Sequence, residues 1–240
     1  AASLLGKRKL GQTQLESVAE KVAERLAWMR QQMEVTFEIH RLNALKGILK
    51  DADGSTIFNF FTEFGVAQQT HDFAFGTATT DVRNEVIAAL RKMEAELGGV
   101  AYTRGHILAG KNWFDDMVGH AEVKESLKYQ ESQFLRNDLR RGFEYGGVTV
   151  EEYRGFVGLT ADIGVIGDDE AYLLPLGVAD MFKVFAAPAD FMETVNTMGQ
   201  LMYAKAAPDM KYNKYVDLYA ESNPLFINKR PRAVIKLTKS

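Results

Sequence analysis

The residues of this 240-residue chain best placed to do chemistry lie between Gly105 and His120. The run GHILAGKN, Gly105 to Asn112, matches the phosphate-binding loop G-x-x-x-x-G-K-[ST] at every fixed position except the last. In such a loop backbone N–H groups cradle the phosphates, the lysine, here Lys111, meets the β and γ oxygens, and a hydroxyl ligates Mg²⁺. Asn112 brings no hydroxyl. The downstream parallel βα units and a hydrophobic strand ending in Asp are also missing, IGVIGDD being a poor substitute. A nucleotide-binding enzyme using Lys111 is thus one alternative, and the plainer reading is a glycine-flanked loop leading into a short helix.

Asp115, Asp116 and His120 follow directly. Asp116 and His120, four residues apart, share one helical face and suit a metal or acid–base pair. Gly119 weakens that helix and no third ligand is evident, so the plain reading is a solvated turn. His40 falls on the apolar stripe of a long helix and reads as a hydrogen-bonded core histidine. His71, beside Asp72, has no serine in a nucleophile-elbow context and reads as a loop residue. No cysteine is present, which excludes disulfides, thiolate metal sites and thiol catalysis, and four histidines leave little material for a metal centre. No catalytic constellation is complete, so neither an enzyme nor a cofactor or metal is expected. A formal charge of −3 offers no electrostatic footprint for wrapping nucleic acid. No charged segment followed by an apolar run opens the sequence, and no apolar run approaches the ~20 residues of a spanning helix, so no membrane partner is expected.

The elements that must carry these residues begin with one long helix. From Leu15 through Val18, Val22, Leu26, Met29, Met33, Phe37 and Leu45 the apolar positions recur every three or four residues, with Thr13 and Glu16 as a capping box and Gly47 as the stop. Such a helix of ~34 residues would span ~50 Å, whereas a compact body of this size has a radius of gyration near ~18 Å. It reads as a spine crossing a flat or elongated body. Two β-prone runs around Asp51-Ala52-Asp53-Gly54 predict a long hairpin, with Phe58, Phe60 and Phe61 on one strand. Asp81 caps a second helix that Gly98-Gly99 ends, Val100 to Leu108 is a possible strand, and two short helices follow near 112–118 and 121–129. From Phe143 onward short β-prone runs broken by glycine take over, FVGLTADIG among them, and all five prolines lie at or beyond Pro175. Helices early and strands late, without βαβ alternation, give an α+β class. The basic tail NKRPRAVIKLTKS could touch DNA, although a Lys/Arg-sprinkled edge strand is the preferred reading.

The fragments APADFMETVNT, MYAKA and SNPLFINKRP, the last followed by an apolar strand, resemble the C-terminal signature of lambda-type phage major capsid proteins, the major capsid protein E family. RLAWMRQQ in the long helix and the DADG hairpin running to FTEFG resemble its central part, so the likeness extends from about Leu15 to Lys236. The resemblance implies the shell fold of tailed-phage and herpesvirus capsids. Residues 1–65 plus about 200–240 would form a peripheral domain around a spine helix at 13–47, and about 66–199 an axial domain. The N-terminal arm and extended loop of that architecture precede the spine, and this chain begins about a dozen residues ahead of it, so neither is expected here. What is implied is a structural head protein that assembles with itself into hexamers and pentamers of an icosahedral shell around double-stranded DNA. Scaffold, portal and decoration proteins would be further partners, contact with packaged DNA would be weak and non-specific, and the protein would assemble in the host bacterial cytoplasm and reside in the virion. A bacterial nanocompartment shell of the same fold is the closer alternative. Candidate assembly contacts are Arg25, Trp28 and Arg30 on the spine and Phe58, Phe60 and Phe61 on the hairpin, aromatic residues being enriched both in cores and in buried interface centres.

Overall fold

The computed structural model describes residues 17–51, 53–77, 79–128, 138–155 and 165–240. The expected cap at Thr13 with Glu16, and the β-prone run at 156–164, lie outside the described residues. In chain order the elements are α1 (Val18–Lys46), β1 (Ile48–Lys50), β2 (Thr56–Asn59), α2 (Phe60–Glu63), β3 (Thr70–Asp72), α3 (Val82–Leu97), β4 (Arg104–Ala109), α4 (Lys111–Gly119), α5 (Ala121–Lys128), β5 (Phe143–Tyr145), β6 (Val148–Glu152), β7 (Ala171–Leu176), β8 (Phe182–Ala186), β9 (Tyr203–Pro208), β10 (Val216–Glu221), β11 (Pro224–Asn228) and β12 (Ile235–Thr238). The α+β class expected from the sequence is the class observed.

Two compact units divide the chain. The first comprises Ala1–Glu38 and Val184–Phe226, the second Ile39–Lys183 and Ile227–Ser240.

In the first unit α1 opens with reciprocal capping bonds. The Ser17 hydroxyl accepts from the Glu20 N–H and the Glu20 carboxylate from the Ser17 N–H, both at 3.2 Å. Val22, Leu26, Met29 and Met33 form its half-covered stripe, yet no residue from Val18 to Thr36 is buried. The first buried position is Phe37, whose ring meets Phe226 at 5.9 Å between centroids. Strands β9 and β10 form an antiparallel hairpin pairing Tyr203 with Glu221 and Pro208 with Val216. Phe191 packs edge-on against Tyr203 and Tyr219 of this hairpin, centroids 6.4 and 5.4 Å away.

The second unit holds the core, a six-stranded mixed sheet in the order β3-β12-β7-β4-β6-β5. α3 lays Val82, Val86, Ala89 and Met93 into this core, each fully buried. The Asp81 side chain caps α3 by accepting from the Asn84 N–H at 3.0 Å, and Gly98, at φ +62°, ends it. Trp113 of α4 is fully buried between the Phe73 and Phe75 rings, at 5.2 and 5.3 Å, and its indole N–H points at the Thr238 carbonyl, 3.4 Å away.

Two sequence expectations need correction here. The hairpin after α1 is short, three residues pairing with four, and its second strand stops at Asn59. The Asn59 side chain accepts from the Phe61 and Thr62 N–H groups at 3.0 and 3.3 Å, turning Phe60–Glu63 into a helical turn, so the three phenylalanines do not share one strand. The basic tail is not an edge strand either. β12 lies inside the sheet, parallel to β3 and antiparallel to β7, with Ile235 and Leu237 fully buried. Three of its cations pair within the chain: Lys236 with Glu170 at 2.7 Å, Lys239 with Asp116 and Asp169 at 2.6 and 3.0 Å, and Arg232 with Glu96 at 2.6 Å.

Candidate assembly surfaces

The phosphate-loop match fails on geometry. Residues Gly105 to Ala109 are strand β4, paired to β6 on one side and β7 on the other, so no loop backbone is available there to surround a phosphate. The two glycines answer to packing. A Cβ at Gly105 would lie 2.8 Å from a Leu90 methyl, and one at Gly110 would lie 2.0 Å from the Gly167 carbonyl oxygen. Lys111 is exposed at the start of α4, and the Asn112 amide donates to Asp169 at 3.0 Å. The nucleotide alternative through Lys111 is therefore corrected: glycine is required where sheet and loop touch.

Asp115, Asp116 and His120 line one cavity together with Lys239. Asp116 is held by Lys239, Asp115 points to solvent from the exposed side of α4, and His120 ends that helix almost fully buried. Among the described residues no group of three His, Asp or Glu side chains is close enough to hold a metal ion. His71 sits with Nδ1 3.0 Å from the Lys92 ammonium and Nε2 2.9 Å from Glu85. Burial, and then the Lys92 charge, hold its pKa below the usual imidazole range. His40 is half-buried, and burial likewise lowers it.

One ionic cluster was not anticipated. Glu170, with only 16% of its side chain exposed, accepts from Lys46 at 2.8 Å and pairs with Lys236 at 2.7 Å, and it also takes the Gly167 N–H at 3.0 Å. Burial alone would raise this carboxyl, but the two ammonium groups and the amide outweigh it and pull it down to about 2. Lys46 is the last residue of α1 and also donates to the Val165 carbonyl at 2.9 Å, so the cluster pins the end of the long helix onto the sheet. Nothing in the sequence spacing links residues 46, 170 and 236; only the fold brings them together.

What remains is surface, and many large apolar side chains are exposed on it. In the first unit Val18, Trp28, Val184, Phe185, Met192, Val195, Met198, Met210, Tyr212, Tyr215 and Tyr219 are all exposed, Met192 at 95% and Met198 at 92%. In the second, Ile57, Phe58, Phe64 and Phe182 are exposed. Clusters of exposed apolar side chains are candidate contact surfaces. Of the sequence-predicted contacts, Arg25 lies exposed over the Trp28 ring at 5.9 Å, Trp28 is 52% exposed, and Arg30 is exposed with Glu34 3.9 Å away. Phe58 is 41% exposed, whereas Phe60 is buried beneath it, stacking between Phe58 and Phe64 at 6.3 and 6.2 Å. Phe61 is half-buried, its ring filling the space a side chain on Gly47 would take. The structure thus keeps Arg25, Trp28, Arg30 and Phe58 on the surface and places Phe60 inside. Sequence reasoning missed the Met192 to Leu201 loop and β8, because apolar residues in a β-prone stretch read by default as core.

The described residues form an α+β body that exposes many large apolar side chains. The chain belongs to the phage major capsid protein E family, whose description, "Phage major capsid protein E", matches residues 1–239. It is 31% identical to the major capsid protein of Pseudomonas phage KPP10, over 96% of this chain and 71% of that one. It is 24% identical to the major capsid protein of Salmonella phage Felix O1, over 75% of this chain and 58% of that one. Among solved structures it is similar to the mature capsid of bacteriophage PhiM1, at 13% identity and a TM-score of 0.48, covering 95% of this chain and 66% of that one.

Proposed function

We propose that this chain builds the icosahedral head of a tailed phage or prophage, packing edge to edge into hexamers and pentamers that enclose double-stranded DNA. The observation that carries the reading is the exposed apolar surface of the first unit in a chain of this family. Leaving Trp28, Phe185, Met192 and Met198 in water is unfavourable for an isolated subunit, and burying them against neighbours reverses that cost at about 25 cal/mol per Å². Each contact in such a shell is head-to-tail and modest, and closure makes the sum large.

In this reading the first unit belongs to the peripheral domain and the six-stranded sheet to the axial domain. The two compact units divide otherwise than at residues 65 and 200: residues 39–65 and 227–240 group with the sheet, and residues 184–199 group with the first unit. Scaffold, portal and decoration proteins remain expected partners. DNA contact is weak in this reading, since Arg232, Lys236 and Lys239 of the basic tail are each held in ion pairs within the chain. The work is mechanical, carried out in the virion after assembly in the bacterial cytoplasm. A nanocompartment shell is the less favoured alternative, given the family match. Sedimentation and electron microscopy of the full-length protein test the proposal: uniform closed shells or capsomers are expected, and a strictly monomeric species at high concentration would overturn it.

A further inference from the structure

In the second unit the edge strand β3 and the helix α3 meet at a histidine. His71, with only 10% of its side chain exposed, stands on β3 between Lys92 and Glu85 of α3. Its Nδ1 lies 3.0 Å from the Lys92 ammonium. An ammonium donates and cannot accept, so Nδ1 must offer its lone pair, and the ring proton of the neutral imidazole sits on Nε2. That proton faces Glu85, 2.9 Å away, at an angle too poor for a hydrogen bond. Lys92 also donates to the Thr70 carbonyl at 3.1 Å, so a single ammonium grips the strand at two successive residues.

This grip works in one protonation state only. A second proton would go onto Nδ1, remove the acceptor that Lys92 uses, and set a cationic N–H against an ammonium 3.0 Å away. Glu85 favours the charged ring, but burial and then Lys92 outweigh it. No other neighbour offsets them. Asp72 of the same strand is taken by the Thr238 and Ser240 hydroxyls at 3.0 and 2.5 Å, and Lys236 of β12 is paired with Glu170. Opposite His71 on β12 stands the buried Leu237, and the Phe73 ring meets the imidazole edge-on at 5.5 Å. The strand has little else to hold its start: β3 is three residues long and pairs on one side only, with β12.

We infer that His71 is an acid-opened latch: on protonation Lys92 lets go of His71 and Thr70, and the start of β3 loosens from α3 and β12 while the rest of the sheet stays folded. Because the folded pKa lies below the ordinary 6.5, the latch is fully closed above pH 6.5 and its contribution is lost as pH falls through the folded value. Hydrogen exchange read by mass spectrometry on the 240-residue chain, corrected for intrinsic rates, follows the strand. Residues 66–72 should exchange at least about threefold faster at about pH 5 than at about pH 8, while α3 keeps its protection. His71→Gln, whose side-chain oxygen accepts from Lys92 and takes no proton, should abolish that difference. Equal exchange at both pH values, or the same acceleration in His71→Gln, would overturn the inference. Should the variant fail to fold, nitrogen-15 NMR of the unaltered chain decides. Nδ1 should be the bare ring nitrogen at neutral pH and should titrate below 6.5. A proton on Nδ1 at neutral pH, or titration at or above 6.5, overturns it.

Discussion

Replacing Glu170 by Gln removes the one anion that two ammonium groups share in the second unit. In the folded chain its carboxyl is held at about 2, against 4.5 for an ordinary glutamate. Each unit of displacement is worth about 1.36 kcal/mol, so the ionised group stabilises the fold by roughly 3 kcal/mol at neutral pH. Because the folded value lies below the unfolded one, that stability is fully present above pH 4.5 and is lost as pH falls toward 2. Glu170→Gln should therefore lower unfolding stability by about 3 kcal/mol at pH 7, where Lys46 and Lys236 lose their partner, and the gap to the unaltered protein should close near pH 2. Urea unfolding of the dissociated chain followed by tryptophan fluorescence reads this, since Trp113 is fully buried in the same unit. An unchanged midpoint at pH 7, or a deficit that persists undiminished at pH 2, would refute the reasoning.

Other perturbations separate core from surface. Trp113→Ala should cost about 3–5 kcal/mol by emptying the space between Phe73 and Phe75, seen as a lowered Tm. Gly110→Ala should destabilise by more than about 2 kcal/mol, since its Cβ would lie 2.0 Å from the Gly167 oxygen, whereas Lys111→Ala should stay within about 0.5 kcal/mol in the same melt. Trp28→Ala, at a 52% exposed site, should leave subunit stability within about 1 kcal/mol yet raise the concentration needed for shells, measured by light scattering.

Much of the element order was legible because its signals are local. Asp81 and Gly98 bracket α3, Gly47 at φ +85° stops α1, and the glycine-broken run after Phe143 became short strands, each set by a cap or a turn. What the sequence concealed is non-local. GHILAGKN reads as a phosphate loop until its strand neighbours β6 and β7 are known, since packing against Leu90 and the Gly167 carbonyl leaves glycines spaced like a nucleotide site. The tail looked like an edge because Lys and Arg punctuate it, but those charges meet Glu96, Asp116 and Glu170, residues remote in sequence. The exposed apolar residues were half legible: Trp28 between arginines stood out on a helix, while Met192 and Met198 look in sequence like any other core methionine.

High-resolution electron cryomicroscopy of assembled full-length shells tests most directly whether the exposed apolar residues are the contact surface. Trp28, Phe58, Phe185, Met192 and Met198 should each lie against a neighbouring copy, with little surface left in water. A shell in which these side chains still face solvent, its copies joined through other surfaces, would contradict the account.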